Sequence, residues 1–303
     1  MLSLNHSTAE NITLTSANKL FIRKGIKVKI RFQENLKKAF NSSVSAIDIT
    51  NSANAARNIN KWIENNTGCK IKDVITENMI TKRTMMVLIN AIYFRAKWKT
   101  PFNQNKTKME DFFMSGNKTA KVPTMHLTTN VLLVELDKFK TKVIRLPYEG
   151  DKVVMDILLP GDRDGLNDME AKISSVDVAL LIKEKAVNTT VRIQLPKFSF
   201  GTETKLKKPL EKLGIKAIFQ SGGLEGMSTD NLLVNQIIQK AVIKVDEEGT
   251  EAAAVTVATI VAVSARPPPT NFIADHPFLF LLKEASTGLI IFRGKVNNPL
   301  SKS

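Results

Sequence analysis

With 303 residues, 43% of them apolar, the chain is long enough to bury a sizeable core as one large or two ordinary domains. Its formal net charge of +15 points to an acidic partner. Its single cysteine, Cys69, excludes an intrachain disulfide, so the fold must stand on packing; a lone thiol of this kind is most often a small hydrophobe and does not settle the compartment.

In chain order, residues 12–21 alternate as a strand and residues 32–40 carry a helical apolar face. A short strand at 47–49 precedes a helix over 53–65, with Asn51 or Ser52 as its cap and Gly68 as its stop. Residues 85–98 form a long β-type run. From 109 to 160 strands dominate, reading DFFM, KVPTMHL, VLLVEL, KVIRLPY and VVMDILLP, punctuated by Gly150, Gly161 and Gly165. Spacing predicts a helix over 166–183, a strand over 190–200 and a short helix over 206–213 ended by Gly214. A strand over 232–245 and two closing strands within 278–296 complete the chain. No repeat, linker or low-complexity tail interrupts it. Mixed helices and mostly antiparallel strands predict an α+β fold in a single domain, residues 1–303.

Eight basic residues, Lys19, Arg23, Lys24, Lys27, Lys29, Arg31, Lys37 and Lys38, stand against one acid, Glu34, between positions 19 and 38. The ordinary reading is a solvated face. The sharper one is a site for a polyanion such as a sulfated glycan. Nucleic acid is not expected as a partner, because no aromatic residues interleave to stack bases. Seven N-x-S/T sequons, at Asn5, Asn11, Asn41, Asn65, Asn105, Asn117 and Asn188, give mild support for a secreted glycoprotein, although no signal peptide is visible at Met1.

The segment 245–269, VDEEGTEAAAVTVATIVAVSARPPP, stands apart. Its middle, 252–265, is uncharged and rich in Ala, Val and Thr. It is too short to cross a bilayer, which takes about 20 apolar residues. A buried strand is the ordinary reading of such a run. However, it exceeds the usual strand length of about 5–6 residues, and it ends in a proline cluster that cannot continue a ladder. A strand held outside its sheet fits both features. No catalytic constellation accompanies it. His6, His126 and His276 form no metal pattern; GMSTD at Gly226 lacks the second glycine of a nucleophile elbow; Gly222, Gly223 and Gly226 lack the Gly-Lys-Ser/Thr of a phosphate loop. Neither an enzyme nor a cofactor is expected.

EEGTEAAAVT, followed beyond the prolines by NFIADHPFLF, closely resembles the hinge and C-terminal signature of the serpins, the serine protease inhibitor family. VLINAIYFRAKWKTPF resembles the third strand of the family's central sheet and the turn after it. LPYEGDKVVMDILLPG, VRIQLPKFSF, LEKLGI and FRGKVNNP match in the same order, so the resemblance runs from about Leu14 to Pro299.

The resemblance implies a monomeric suicide substrate. A serine protease attacks an exposed loop, here about 247–269, and forms a covalent acyl complex. The freed loop then inserts as a new strand into the central sheet. The hinge would be Glu247, Glu248, Gly249, Thr250, Glu251, Ala252, Ala253 and Ala254. Alternate residues Thr250, Ala252, Ala254, Thr256 and Ala258, all small or uncharged, would turn inward. Counting the usual loop length from Gly249 places the reactive bond at Val263-Ser264, which favours an elastase-like protease. Counting back from Phe272 suggests Ser264-Ala265, and Arg266-Pro267 would suit a trypsin-like protease in a longer loop. Asn90 matches the family's sheet-opening asparagine, and Trp98 matches the tryptophan where insertion starts. Gln239 stands where inhibitory members usually carry a histidine; it can hydrogen-bond but cannot become charged. The family's first helices and a strand behind the central sheet have no counterpart here. Without them apolar surface would be exposed or the sheet would collapse early, and if the 303 residues are the whole protein the expectation is poor solubility or a loop already inserted.

Overall fold

The structure is a computed structural model that describes residues 12–116, 118–173, 178–249 and 268–301. Its strands fall into two sheets. The first, in spatial order, is built from β2 (Ser43–Ile47), β1 (Ile12–Arg23), β3 (Met86–Ala96), β10 (Gln236–Val245) and β9 (Phe198–Lys205). The second runs β11 (Thr270–Ile273), β8 (Val187–Pro196), β5 (Lys118–Leu136), β6 (Thr141–Pro147), β7 (Val153–Pro160), β12 (Phe278–Glu284) and β13 (Ile290–Val296), with β4 (Lys108–Met114) paired to β5. Most neighbours are antiparallel; β1–β2, β3–β10 and β8–β11 are parallel.

Apolar side chains sort these elements into layers. Phe94, Ile144, Met155, Phe278 and Phe280 fill the space between the sheets. All eight residues of β7 are buried, and all but one of them are apolar. Its one charge, Asp156, is met by Arg145 Nε at 2.7 Å across the β6–β7 ladder and by the buried ammonium of Lys283 on β12. On the other face of the first sheet lies α2 (Ser52–Asn66), whose Ile59 and Ile63 pack on Ala17, Ile89 and Ile238. Its cap is Asn51, which accepts the Asn54 N–H at 2.9 Å. The Asn60 amide ties it to both backbone groups of Ile75. Against the second sheet pack α3 (Leu166–Ile173) and α4 (Val178–Lys185). One end of the first sheet is closed by α1 (Ile30–Phe40) and α5 (Lys207–Lys212) around Leu20, Met86 and Phe219.

Several boundaries differ from the sequence reading. KVPTMHL and VLLVEL belong to one 19-residue strand, β5, because the intervening Thr-Thr-Asn holds no breaker. The expected strand over 190–200 is two strands in different sheets, turning at Lys197 after Pro196, which has no N–H to carry the ladder on. The helical stretch read at 166–183 corresponds to α3 and α4, which runs on to Lys185, with 174–177 outside the described residues. The strand placed at 47–49 is β2, displaced toward its serines, and β10 begins at Gln236 instead of 232. Strand β11, directly after the prolines, was not foreseen.

Candidate functional site

The site is the seam between β3 and β10 together with the turn where the chain leaves β10. Eight residue pairs, from Gln236–Val87 to Ile243–Phe94, join the two strands directly and in parallel, so no strand lies between them. Residues 250–267, on which the expectation of a loop already inserted falls, lie outside the described residues. Along the seam face opposite α2, Phe200, Ala241, Phe280 and Phe292 line an open groove of about 540 Å³, and Leu14 and Ile92 are only partly buried.

At the upper end of the seam the hinge is clasped. Asp246 and Gly249 close a tight turn through paired backbone hydrogen bonds of 2.9 and 3.2 Å. Gly249 has φ 131°, and a Cβ there would stand 2.2 Å from the Ala96 carbonyl and 2.6 Å from the Trp98 nitrogen. Only glycine fits this approach. Three successive hinge carbonyls face the turn after β3. The Trp98 indole N–H donates to Asp246 at 2.9 Å, the Trp98 backbone N–H to Glu248 at 2.8 Å, and the Phe102 N–H to Glu247 at 2.7 Å. Trp98 is held in place by stacking on Tyr148, with ring centroids 4.3 Å apart.

The Glu247 side chain is buried and accepts from Lys197 Nζ and from the Thr107 hydroxyl, each at 2.7 Å. Burial alone would raise its pKa; the bonds from Lys197 and Thr107 outweigh it and hold the carboxyl below the usual range. Glu248 is partly buried, and its Oε1 accepts from Gln104 at 3.2 Å.

Midway along the seam, Gln239 and Asn90 sit directly opposite each other. The Gln239 amide donates to Asn90 at 3.0 Å, Asn90 donates to Asn18 on β1, and Asn18 donates to Ser16 at 3.1 Å. A chain of neutral amides thus crosses three strands and bridges the seam. In this register Gln239 fills its place without a charge.

The structure brings Glu247, Glu248, Gly249 and Trp98 together at the seam's end, and Asn90 and Gln239 at its middle. Thr250, Glu251, Ala252, Ala253, Ala254, Thr256, Ala258, Val263, Ser264, Ala265, Arg266 and Pro267 lie outside the described residues, as do Asn5, Asn11 and Asn117. Sequence reasoning missed Asn18, Thr107 and Lys197. A polar residue inside the apolar alternation of β1 was the one available signal for Asn18; nothing local marks the other two as partners of Glu247. The basic residues of 19–38 divide. Lys19 lies on the α2 face, over the Trp62 ring at 5.0 Å, and burial lowers its pKa; Arg31, Lys37 and Lys38 belong to α1, which packs on the opposite face.

A model of the Serpin (serine protease inhibitor) family matches residues 1–299. Alaserpin of Manduca sexta is 37% identical over 294 residues, covering 96% of this chain and 74% of its own length. Among solved structures, Serpin48 of the insect Tenebrio molitor aligns with a TM-score of 0.84 at 33% identity, over 96% of this chain and 77% of that one. Human thyroxine-binding globulin complexed with its hormone aligns with a TM-score of 0.86 at 28% identity, over 96% and 77%. The two-sheet fold, the glycine-tight hinge and these matches agree, and the chain belongs to the serpins.

Proposed function

We propose that the protein inhibits a serine protease by offering its loop as a substrate and then inserting it between β3 and β10. The observation that carries this reading is the geometry of the seam. The two strands are parallel and directly paired, and the chain leaves β10 at their common end through Gly249. A segment folding back from that point runs antiparallel to both. It replaces one ladder with two, so insertion adds about one ladder's worth of bonds, each contributing about 1 kcal/mol net. Ordering the loop backbone costs about 1–2 kcal/mol per residue. Burial of its Val and Ile side chains, at about 1.5–3 kcal/mol each, tips the balance toward insertion.

Val263-Ser264 is the proposed reactive bond, and an elastase-like protease the proposed target. Secretion and glycosylation belong to the same proposal. Asn41, Asn65, Asn105 and Asn188 are exposed. Two of these sequons have another explanation, because the Thr67 hydroxyl bonds the Ile63 carbonyl and the Thr107 hydroxyl bonds Glu247. The test is equimolar incubation with an elastase and with trypsin. The expected result is a complex with elastase that survives SDS, and a released C-terminal fragment beginning at Ser264. A fragment beginning at Ala265 or Pro267 would reassign the bond. Clean cleavage with no complex would overturn inhibition and favour a carrier or binding role. That second reading draws on the likeness to thyroxine-binding globulin and on Gln239 in the histidine position.

A further inference from the structure

We propose that the cavity between the turn after β3 and strands β5 and β6 binds a neutral single-ring phenol or aromatic alcohol, and that this occupant holds the hinge clasp shut, whether or not the chain inhibits a protease. The cavity has a volume of about 170 Å³. Three elements distant in sequence enclose it: the turn from Trp98 to Phe102, the end of β6 at Leu146 and Pro147, and the middle of β5. Leu127, Thr129 and Val131 reach it together because alternate residues of a strand share a face. The turn is tied to the opposite wall where the Lys99 N–H donates to the Pro147 carbonyl at 3.0 Å.

The lining selects the occupant. Trp98, Phe102, Val131 and Leu146 are buried and make the inner wall apolar, whereas Thr100 and Asn130 are exposed and mark the mouth. Apolar cavities of about 150 Å³ take up benzene, so the volume suits one aromatic ring. The Trp98 and Phe102 rings stand edge to face with centroids 6.3 Å apart, and they offer a further ring the offset and T-shaped contacts that aromatic groups favour. Among the described lining residues Lys99 alone carries a charge, and Asp151 meets its ammonium at 2.6 Å. An ion entering the cavity would lose hydration with no unpaired charge in the described lining to meet it. A hydroxyl directed to the mouth, by contrast, can bond to Thr129 or Asn130.

The occupant acts on the hinge through the wall they share. Trp98 and Phe102 line the cavity, and their backbone N–H groups hold the Glu248 and Glu247 carbonyls. Releasing the hinge requires this turn to shift, and shifting the turn opens the cavity. A bound ring must therefore lose its contacts before the clasp can open. Binding and closure favour each other, and each strengthens the other by the same factor.

Titration with p-cresol, followed by nuclear magnetic resonance and amide hydrogen exchange, tests the inference. For a ligand of this size the expected Kd is on the order of 0.1–1 mM, with direct magnetisation transfer from its ring to the Leu127 and Val131 methyl groups. At about ten times Kd, exchange of the Trp98 and Phe102 amides should slow about tenfold, because opening competes with binding, while the Ile59 amide on α2 should not change. Two variants fill the cavity from different depths, L127W and T129F, and each should weaken binding by about tenfold or more. T202F, in the open groove beside Phe200 and Phe292, should change it by less than about twofold. Thermal unfolding without ligand confirms that each variant is folded, and the magnetisation transfer in the wild-type chain needs no variant. Wild-type affinity in both filling variants, or transfer to Phe200 and Phe292 in place of Leu127 and Val131, would overturn the site. Binding that leaves the Trp98 and Phe102 amides exchanging as before would overturn the action on the hinge. Benzoate, similar in size but charged, should bind about tenfold more weakly or worse, and equal affinity would overturn the assignment to a neutral ligand.

Discussion

Replacing Glu247 with Gln tests the clasp that holds the hinge at the end of the seam. The substitution keeps the shape and the Thr107 contact but removes the charge facing Lys197. Breaking a fully buried ion pair costs about 3–5 kcal/mol because the surviving charge is stranded. Here the Lys197 side chain is 35% exposed and can regain water, which reduces the expected loss to about 1–2 kcal/mol. For a chain of this size that corresponds to a fall in Tm of about 2–4 °C at pH 7. The pH dependence carries a sign. Because the folded carboxyl titrates below its unfolded value, its contribution is fully present above the unfolded pKa of about 4.3 and disappears as pH falls through the folded pKa. The gap in Tm between wild type and E247Q should therefore be constant from about pH 8 to pH 5 and close in more acid solution. Lys197→Met and the double variant complete a cycle, and the double should lose less than the sum of the singles. An unchanged Tm for E247Q at neutral pH, or a gap that persists in acid, would refute the reasoning.

Gly249→Ala forces a Cβ against the Ala96 carbonyl at positive φ; the cost should reach about 1–3 kcal/mol or more, read as a lower Tm. If the proposed function holds, the same variant should be cleaved by its protease more often than it traps it. Asp156→Asn leaves Lys283, 3% exposed, without a counter-charge and should cost about 3–5 kcal/mol; D156L/K283M should recover part of the loss in the same denaturant titration. Asn90→Ala removes the middle of the amide chain, at about 1–3 kcal/mol, and should speed hydrogen exchange of the Gln239 and Ala241 amides more than that of β7.

What could be read from the sequence follows the range of the interactions involved. The apolar run of β7, the glycine of the hinge and the uncharged stretch after it are local patterns, visible to periodicity and composition. The family motifs extended this to Asn90, Gln239 and Trp98 as separate positions; that Asn90 and Gln239 face each other across the seam came only from the structure. Strands β8 and β9 were merged because the corner at Pro196–Lys197 joins two sheets that only tertiary structure separates. Strand β2 was misplaced because its parallel pairing with β1 tolerates serines that weaken the apolar signal. The partners of Glu247 were invisible for a related reason. Lys197 and Thr107 both lie far before Glu247 in the chain, Thr107 by 140 residues, and a single sequence records no trace of a contact between positions so far apart.

On the proposed mechanism, the arrangement also indicates where insertion would begin. Opening the whole seam first would break eight paired residues at about 1 kcal/mol per bond, sever the amide chain and lift α2 from Ile89 and Ile238. Opening from the hinge end is different, because each ladder bond broken is replaced by bonds to the incoming strand. Only the first steps are uncompensated. Those steps lie at Trp98 and Gly249, where the clasp consists of polar contacts whose groups regain hydrogen bonds to water on release. The amide chain comes later, when part of the new strand is already paired. On that mechanism the clasp would govern whether insertion starts, and the amides at the middle of the seam would govern whether it runs on or reverses.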